Sequence, residues 1–137
     1  MTKGVQVNKT VRWKQRFQNF EKAYSQLENT LKIQSPSEAE RAGLIQFFEL
    51  AFELSWKTLK DYLESEGTVV NTPRETIKKA FQYTLIKDGH AWMQALDDRN
   101  LTTHTYEEAM AIKVEQLIRE KYAPLLQALY QSLLKKI

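Results

Sequence analysis

The chain has no cysteine. Disulfides and thiolate metal sites are therefore excluded, and a reducing cytoplasm is the compartment such a chain fits. Only four glycines and three prolines are spread over 137 residues. So little turn material favours a few long helices over many short strands. With two histidines and no thiol, zinc lacks its usual ligand set. No apolar run approaches a membrane span, and Met1-Thr2-Lys3-Gly4 has no apolar signal core. Neither a membrane anchor nor secretion is expected, and the expected location is cytoplasmic. Charge of one sign is scarce too. Twenty Lys and Arg against seventeen Asp and Glu leave a net +3, which permits contact with RNA or nucleotide phosphates without demanding it.

What remains is an ordinary globular composition, 42% apolar and 27% charged, in a length that suits one domain with a real core. No repeat or low-complexity stretch divides it. Residues 1–11 carry little periodicity and are expected to fray; residues 12–137 read as a single helical domain. From Trp13 the apolar positions Trp13, Phe17, Phe20, Tyr24, Leu27 and Leu31 recur at spacings of four and three, one stripe of a helix. Lys14, Arg16, Glu21, Lys22 and Glu28 fall off that stripe and are expected to face water.

Ser35-Pro36-Ser37-Glu38 predicts a helix start, with Ser35 as cap and Glu38 completing a capping box. The helix that follows runs to about Glu66, before Gly67. Its main stripe is Ile45, Phe48, Phe52, Trp56, Leu59 and Leu63, and Phe47, Leu50 and Leu54 form a second apolar strip. A helix apolar on two faces is buried on two sides, and in a small bundle the second side is often a subunit interface. Thr72-Pro73-Arg74-Glu75 repeats the capping signature ahead of a shorter helix with Ile77, Ala80 and Phe81 inward. Asp88-Gly89 marks another turn, and a helix through Trp92, Ala95 and Leu96 leads to Arg99. Thr105-Tyr106-Glu107-Glu108 reads as a third capping box. It opens a last segment striped by Ala111, Val114, Ile118, Tyr122, Leu125, Leu129 and Leu133, with a kink expected near Lys121 to Ala123 because of Pro124. The fold expected is an all-α, up-and-down bundle of three long and two shorter helices.

The chemistry-bearing stretch is Arg99-Asn100-Leu101-Thr102-Thr103-His104-Thr105-Tyr106. Arginine is a permanent cation whose planar fork fits phosphate oxygens, and histidine exchanges a proton near neutral pH. Together they suffice in principle to cleave a phosphodiester without a metal. A cap at Thr105 would set His104 just before the positive end of the last helix, which attracts anions. The plainer reading makes Arg99 a helix-end residue and His104 a polar loop residue. Cleavage of RNA by its own 2′-hydroxyl needs both a base and an acid. One such histidine per chain supplies one of them, and a symmetric dimer supplies two. Tyr106 by itself reads as a packing residue, a phosphate donor or a modification target. Asp97, Asp98, Glu107 and Glu108 are explained by solvated helix ends and charge bias at a helix start, so no metal and no cofactor is expected. His90 reads as a surface residue. Of the aromatics, only Trp92, two turns before Arg99, is placed where it could serve the site.

Arg99-x4-His104-x-Tyr106, before the last long helix of an all-α chain, resembles the HEPN superfamily. Within it, the block Trp92 to Tyr106 and the aromatic run Phe47 to Lys57 look most like the nucleotidyltransferase substrate-binding protein family, which includes HepT-type toxins. The likeness extends from about Arg12 to the C-terminus. The resemblance implies a small helical homodimer that works beside a minimal nucleotidyltransferase. It implies a metal-independent ribonuclease acting on RNA, with Arg99 stabilising the pentavalent phosphate and His104 as base or acid. Asn100 would orient a phosphate or brace the loop, and Tyr106 would accept AMP from the partner, which silences the toxin. Two other readings stay open: a non-catalytic subunit that presents a substrate or nucleotide to a nucleotidyltransferase, and a helical adaptor in which the motif is only structural.

Overall fold

The computed structural model describes residues 2–137, with side chains from Asn8 onward. Six α-helices follow in order: α1 Thr2–Leu31, α2 Glu38–Ser65, α3 Pro73–Gln82, α4 Gly89–Asp98, α5 Glu108–Leu117 and α6 Ala123–Leu134. A 3-10 helix, Arg99–His104, lies between α4 and α5. A π-helical turn, Ile118–Tyr122, joins α5 to α6. Since that turn makes α5 and α6 one continuous run, the architecture is the expected one of three long and two short helical units, with no strand among the described residues. No described helix is long and apolar enough to cross a membrane.

The first helix begins at Thr2, ahead of the Trp13 start that the periodicity predicts. The stretch expected to fray lies in its first turns, apart from Met1, which is outside the described residues. The stripe of α1 is buried as read: Trp13, Phe17, Phe20, Tyr24 and Leu27 all sit in the core. The same core takes in Ile45, Phe48, Phe52, Leu59 and Leu63 of α2 and Leu126, Leu129 and Leu133 of α6. Aromatic packing joins the helices. Phe17 stacks on Tyr130 with centroids 5.7 Å apart, Phe48 on Tyr122 at 5.7 Å, and Phe52 on Trp92 at 5.8 Å. Such pairs add about 0.5–1.5 kcal/mol each beyond area burial. Trp92 is thus a core residue.

Three caps differ from expectation. Helix α2 is capped by Ser37, not Ser35: Ser37 Oγ accepts from the Glu40 N–H, and Glu40 Oε1 accepts from the Ser37 N–H. Ser37-x-x-Glu40 has the spacing a capping box needs and leaves Pro36 outside the helix. Thr72 caps α3 by accepting from the Glu75 N–H, while the Glu75 carboxylate takes the Asn71 N–H one residue earlier than a closed box requires. The box expected at Thr105 does not form, and α5 starts after Glu107 without a side-chain cap. Phe81, expected inward, is half exposed. It lies across the turn into α4, where a Cβ at Gly89 would stand 3.1 Å from its ring. The disturbance expected near Pro124 appears as the π turn just before it, so the helix changes register instead of breaking.

Two polar contacts hold the helices where no stripe predicts them. Arg16, expected to face water, donates to the buried Asp61 at 3.0 Å. Glu115, buried on α5, accepts from Arg41 Nε and Arg119 Nε, each at 2.8 Å. Arg119 also donates to the Leu31 and Ile33 carbonyls at the end of α1, at 2.7 Å each. Burial alone would push the Glu115 carboxyl up, but the two guanidinium hydrogen bonds and charges outweigh it and hold it below the usual carboxylate range. A carboxyl held low in the folded chain stabilises it above the ordinary carboxylate pKa, and that share is lost as pH falls through the lower, folded value. Glu115→Gln is therefore expected to cost roughly 1–3 kcal/mol at neutral pH and to flatten the acid limb of the stability curve. Urea unfolding at neutral and acidic pH checks this, and acid limbs of equal slope in the two proteins would contradict it.

Candidate active site

The six residues Arg99–His104 form a 3-10 helix because threonine hydroxyls reinforce an i to i−3 pattern. Thr102 Oγ1 donates to the Arg99 carbonyl at 2.6 Å, Thr103 Oγ1 to the Asn100 carbonyl at 2.8 Å, and Thr105 Oγ1 to the Thr102 carbonyl at 2.9 Å. The Thr105 hydroxyl is turned back toward the rod and caps nothing; α5 starts after Glu107 without a side-chain cap. Leu101 is the one apolar residue of the segment, and it packs on the core.

The segment is anchored at both ends. On the entry side, Asp98 accepts a hydrogen bond from the Tyr122 hydroxyl. Tyr122 is buried in the π turn against Phe48. Burial, and then the Asp98 bond and charge, push its phenol well above the ordinary tyrosine range. On the exit side, Glu108, the first residue of α5, pairs with Arg41, and the Glu107 N–H reaches back to the His104 carbonyl at 3.2 Å.

Arg99 is half exposed, and its Nη1 lies 3.4 Å from Glu53 Oε2 on α2. Asn100 and His104 are exposed. Tyr106, 79% exposed, stands in the turn before α5 rather than in its first turn. Its ring centroid is 6.3 Å from that of His104. Arg99 and His104 are the first and last residues of the 3-10 helix. At three residues per turn and a rise near 2.0 Å, their Cα atoms are about 10 Å apart and about a third of a turn out of line. The structure therefore brings His104 and Tyr106 together and Arg99 and Asn100 together, while Arg99 and His104 occupy opposite ends of one short rod. Packing does not fix the outward three, since Asn100, His104 and Tyr106 touch no core stripe.

Two grooves flank the rod along α2. One, about 510 Å³, is lined by Gln46, Glu49, Leu50, Glu53, Arg99 and Asn100, among others. The other, about 480 Å³, runs past Thr105 and Tyr106 with Glu38, Glu49 and Glu108. A third of about 250 Å³ lies on the opposite side of Arg99, against the start of α3. No three His, Asp or Glu side chains converge in metal-holding geometry among the described residues. Asp97 instead pairs with Arg74 at 2.9 Å. Glu53, Arg74 and Tyr122 were not singled out from the sequence as site residues. Each meets its partner across 23 or more residues, where no local spacing signals the contact.

An all-α bundle that carries Arg-x4-His-x-Tyr on a short 3-10 rod before its last long helix is the kind of chain defined so far. The family model described as nucleotidyltransferase substrate binding protein like matches residues 15–135, and the chain belongs to that family. A Haemophilus influenzae protein named probable ribonuclease HepT is 35% identical over 80 residues. That match covers 53% of this chain, and the chain spans about half (53%) of the length of that relative. Two solved structures share the fold. A Thermus thermophilus protein has a TM-score of 0.74 at 35% identity, over 80% of this chain and 94% of the other. A Haemophilus influenzae protein, described as revealing the fold of a substrate binding domain of a nucleotidyltransferase, has a TM-score of 0.74 at 27% identity, over 85% of this chain and 98% of the other.

Proposed function

We propose that this chain is a metal-independent endoribonuclease that works as a homodimer and is silenced when a minimal nucleotidyltransferase places AMP on Tyr106. The observation that carries this reading is the 3-10 rod, which holds a guanidinium and an imidazole in reach of solvent, with a phenol beside the imidazole. The relative named a probable ribonuclease supports it, and the family description supports the nucleotidyltransferase partner. In the reaction, His104 takes the proton of a ribose 2′-hydroxyl, whose oxygen attacks the adjacent phosphorus. Arg99 and Asn100 stabilise the charge that gathers on the phosphoryl oxygens. The 5′-oxygen departs with a proton from the second copy's His104, leaving a 2′,3′-cyclic phosphate. Two copies are needed because one chain offers one histidine at the site, whereas the step uses both a base and an acid. The outer strip of α2 supports the pairing: Leu50 is 46% exposed, flanked by half-buried Phe47 and Leu54.

The second reading is a non-catalytic subunit that presents a substrate or nucleotide to the nucleotidyltransferase. The family description favours it; the carboxylates Glu38, Glu49 and Glu108 beside Tyr106 repel RNA and nucleotide phosphates alike and do not separate the two readings.

Cleavage of RNA by the purified chain is expected to persist in EDTA and to leave cyclic phosphate ends. His104→Ala is expected to lower the rate on the order of a hundredfold or more, and Arg99→Ala comparably, with melting curves unchanged because neither residue is buried. Activity that vanishes with EDTA and returns with magnesium would overturn the mechanism, and absence of any cleavage would leave the subunit reading.

For Tyr106, intact-mass measurement after incubation with the partner enzyme and ATP is expected to show added AMP. Tyr106→Phe should show none and should keep its ribonuclease activity in the partner's presence. Equal modification of the mutant would assign the tyrosine no role in silencing.

A further inference from the structure

We infer that an RNA strand held at Arg99 leaves the site along the groove at the start of α3, and that Arg74 binds the phosphate next to the scissile one. The inference rests on the ribonuclease reading and assigns the direction of the substrate across that site. Arg99 stands where two kinds of groove meet. The α2 side is the more acidic. Glu49 and Glu53 line one groove with Arg99, Glu53 being paired with Arg99 and Lys57. Glu38, Glu49 and Glu108 line the next, where Arg41 pairs with Glu108 and leaves Glu38 and Glu49 without a bridging cation among the described residues. The α3 side is lined by Arg74, Arg99 and Asn100 against a single carboxylate, Asp97. A polyanion drawn to Arg99 meets repulsion in one direction and a second guanidinium in the other, and the phosphate backbone supplies most of the affinity of such complexes.

Arg74 is suited to the role. Its Nη2 donates to Asp97 Oδ1 at 2.9 Å and its Nη1 rests 3.7 Å from Met93 Sδ. Two contacts orient the planar fork, and a guanidinium carries five N–H donors, so donors remain for a phosphate. The side chain is half exposed, and the helix below it is fixed by the Thr72 cap and Pro73. Asn100 lines both the α2-side and the α3-side groove, so it can follow the strand as it turns.

The test is equilibrium binding of a mixed-sequence 2′-O-methyl oligoribonucleotide, which has no nucleophile and cannot be cleaved, measured over a range of salt. Arg74→Gln is expected to weaken binding several-fold and to lower the slope of log K against log salt by about 0.7, one phosphate contact on a single strand. Arg74→Lys should keep most of that slope, which a merely structural arginine would not require. Asp97→Asn, which frees the fork and removes the one carboxylate of the groove, should tighten binding. Gln46→Glu, which adds charge to the acidic groove, should change affinity less than twofold. If Gln46→Glu weakens binding and Arg74→Gln does not, the strand runs along α2 and the inference is overturned while the ribonuclease reading stands. If the unmodified protein shows no salt-dependent binding, and Arg99→Ala matches it, both fall together.

Discussion

The site depends on one constraint: a six-residue 3-10 helix is held between two polar anchors. At its entrance the Tyr122 hydroxyl fixes Asp98, the residue before Arg99. At its exit Arg41 holds Glu108, the first residue of α5. Arg41 also donates to Glu115, which shares its carboxylate with Arg119, and Arg119 clasps the last carbonyls of α1. One carboxylate on α5 thus ties together the end of α1, the start of α2 and the helix that follows the motif. Because the rod is pinned at its ends and stapled internally by threonines, its outward side chains need no packing of their own. That leaves Asn100, His104 and Tyr106 free to meet a ligand.

Much of this was legible in the sequence, and what was hidden has a physical reason. The stripes of α1 and α2 follow from apolar spacing alone, and the core is built from the residues those stripes name. The location of Arg99, Asn100, His104 and Tyr106 between two helices was legible too. Their local form was not, because Thr105-Tyr106-Glu107-Glu108 satisfies the capping pattern while three threonines in four residues favour i−3 hydroxyl bonds, and the hydroxyls prevail. Asp98, read as a solvated helix end, is bound to a tyrosine 24 residues away, and the pairing needs the π turn that Pro124 announces only as a disturbance. Ser35 and Ser37 offer equally good caps by composition. Each has a glutamate three residues on, Glu38 and Glu40, so spacing does not decide between them; the box that closes in the fold is Ser37 with Glu40.

Electrostatics around the rod is uneven, and that is more telling than the net +3. The acidic side along α2 also carries Leu50, exposed between half-buried Phe47 and Leu54, while the side at the start of α3 carries the free guanidinium donors. The apolar strip is of the kind that the centre of a subunit interface uses, while the carboxylates beside it disfavour a polyanion on this side. On the proposed reading, the second copy takes the α2 side and the substrate the α3 side.

The central claim is that one reaction centre needs the histidines of two chains. It is tested most directly by subunit mixing, in which wild-type and His104→Ala chains are denatured together, refolded at varied ratios and assayed for RNA cleavage. A centre that takes its base from one copy and its acid from the other loses activity whenever either copy is mutant, so the rate should follow the square of the wild-type fraction. A rate that falls in simple proportion to that fraction would mean that each chain works alone, and would contradict the account.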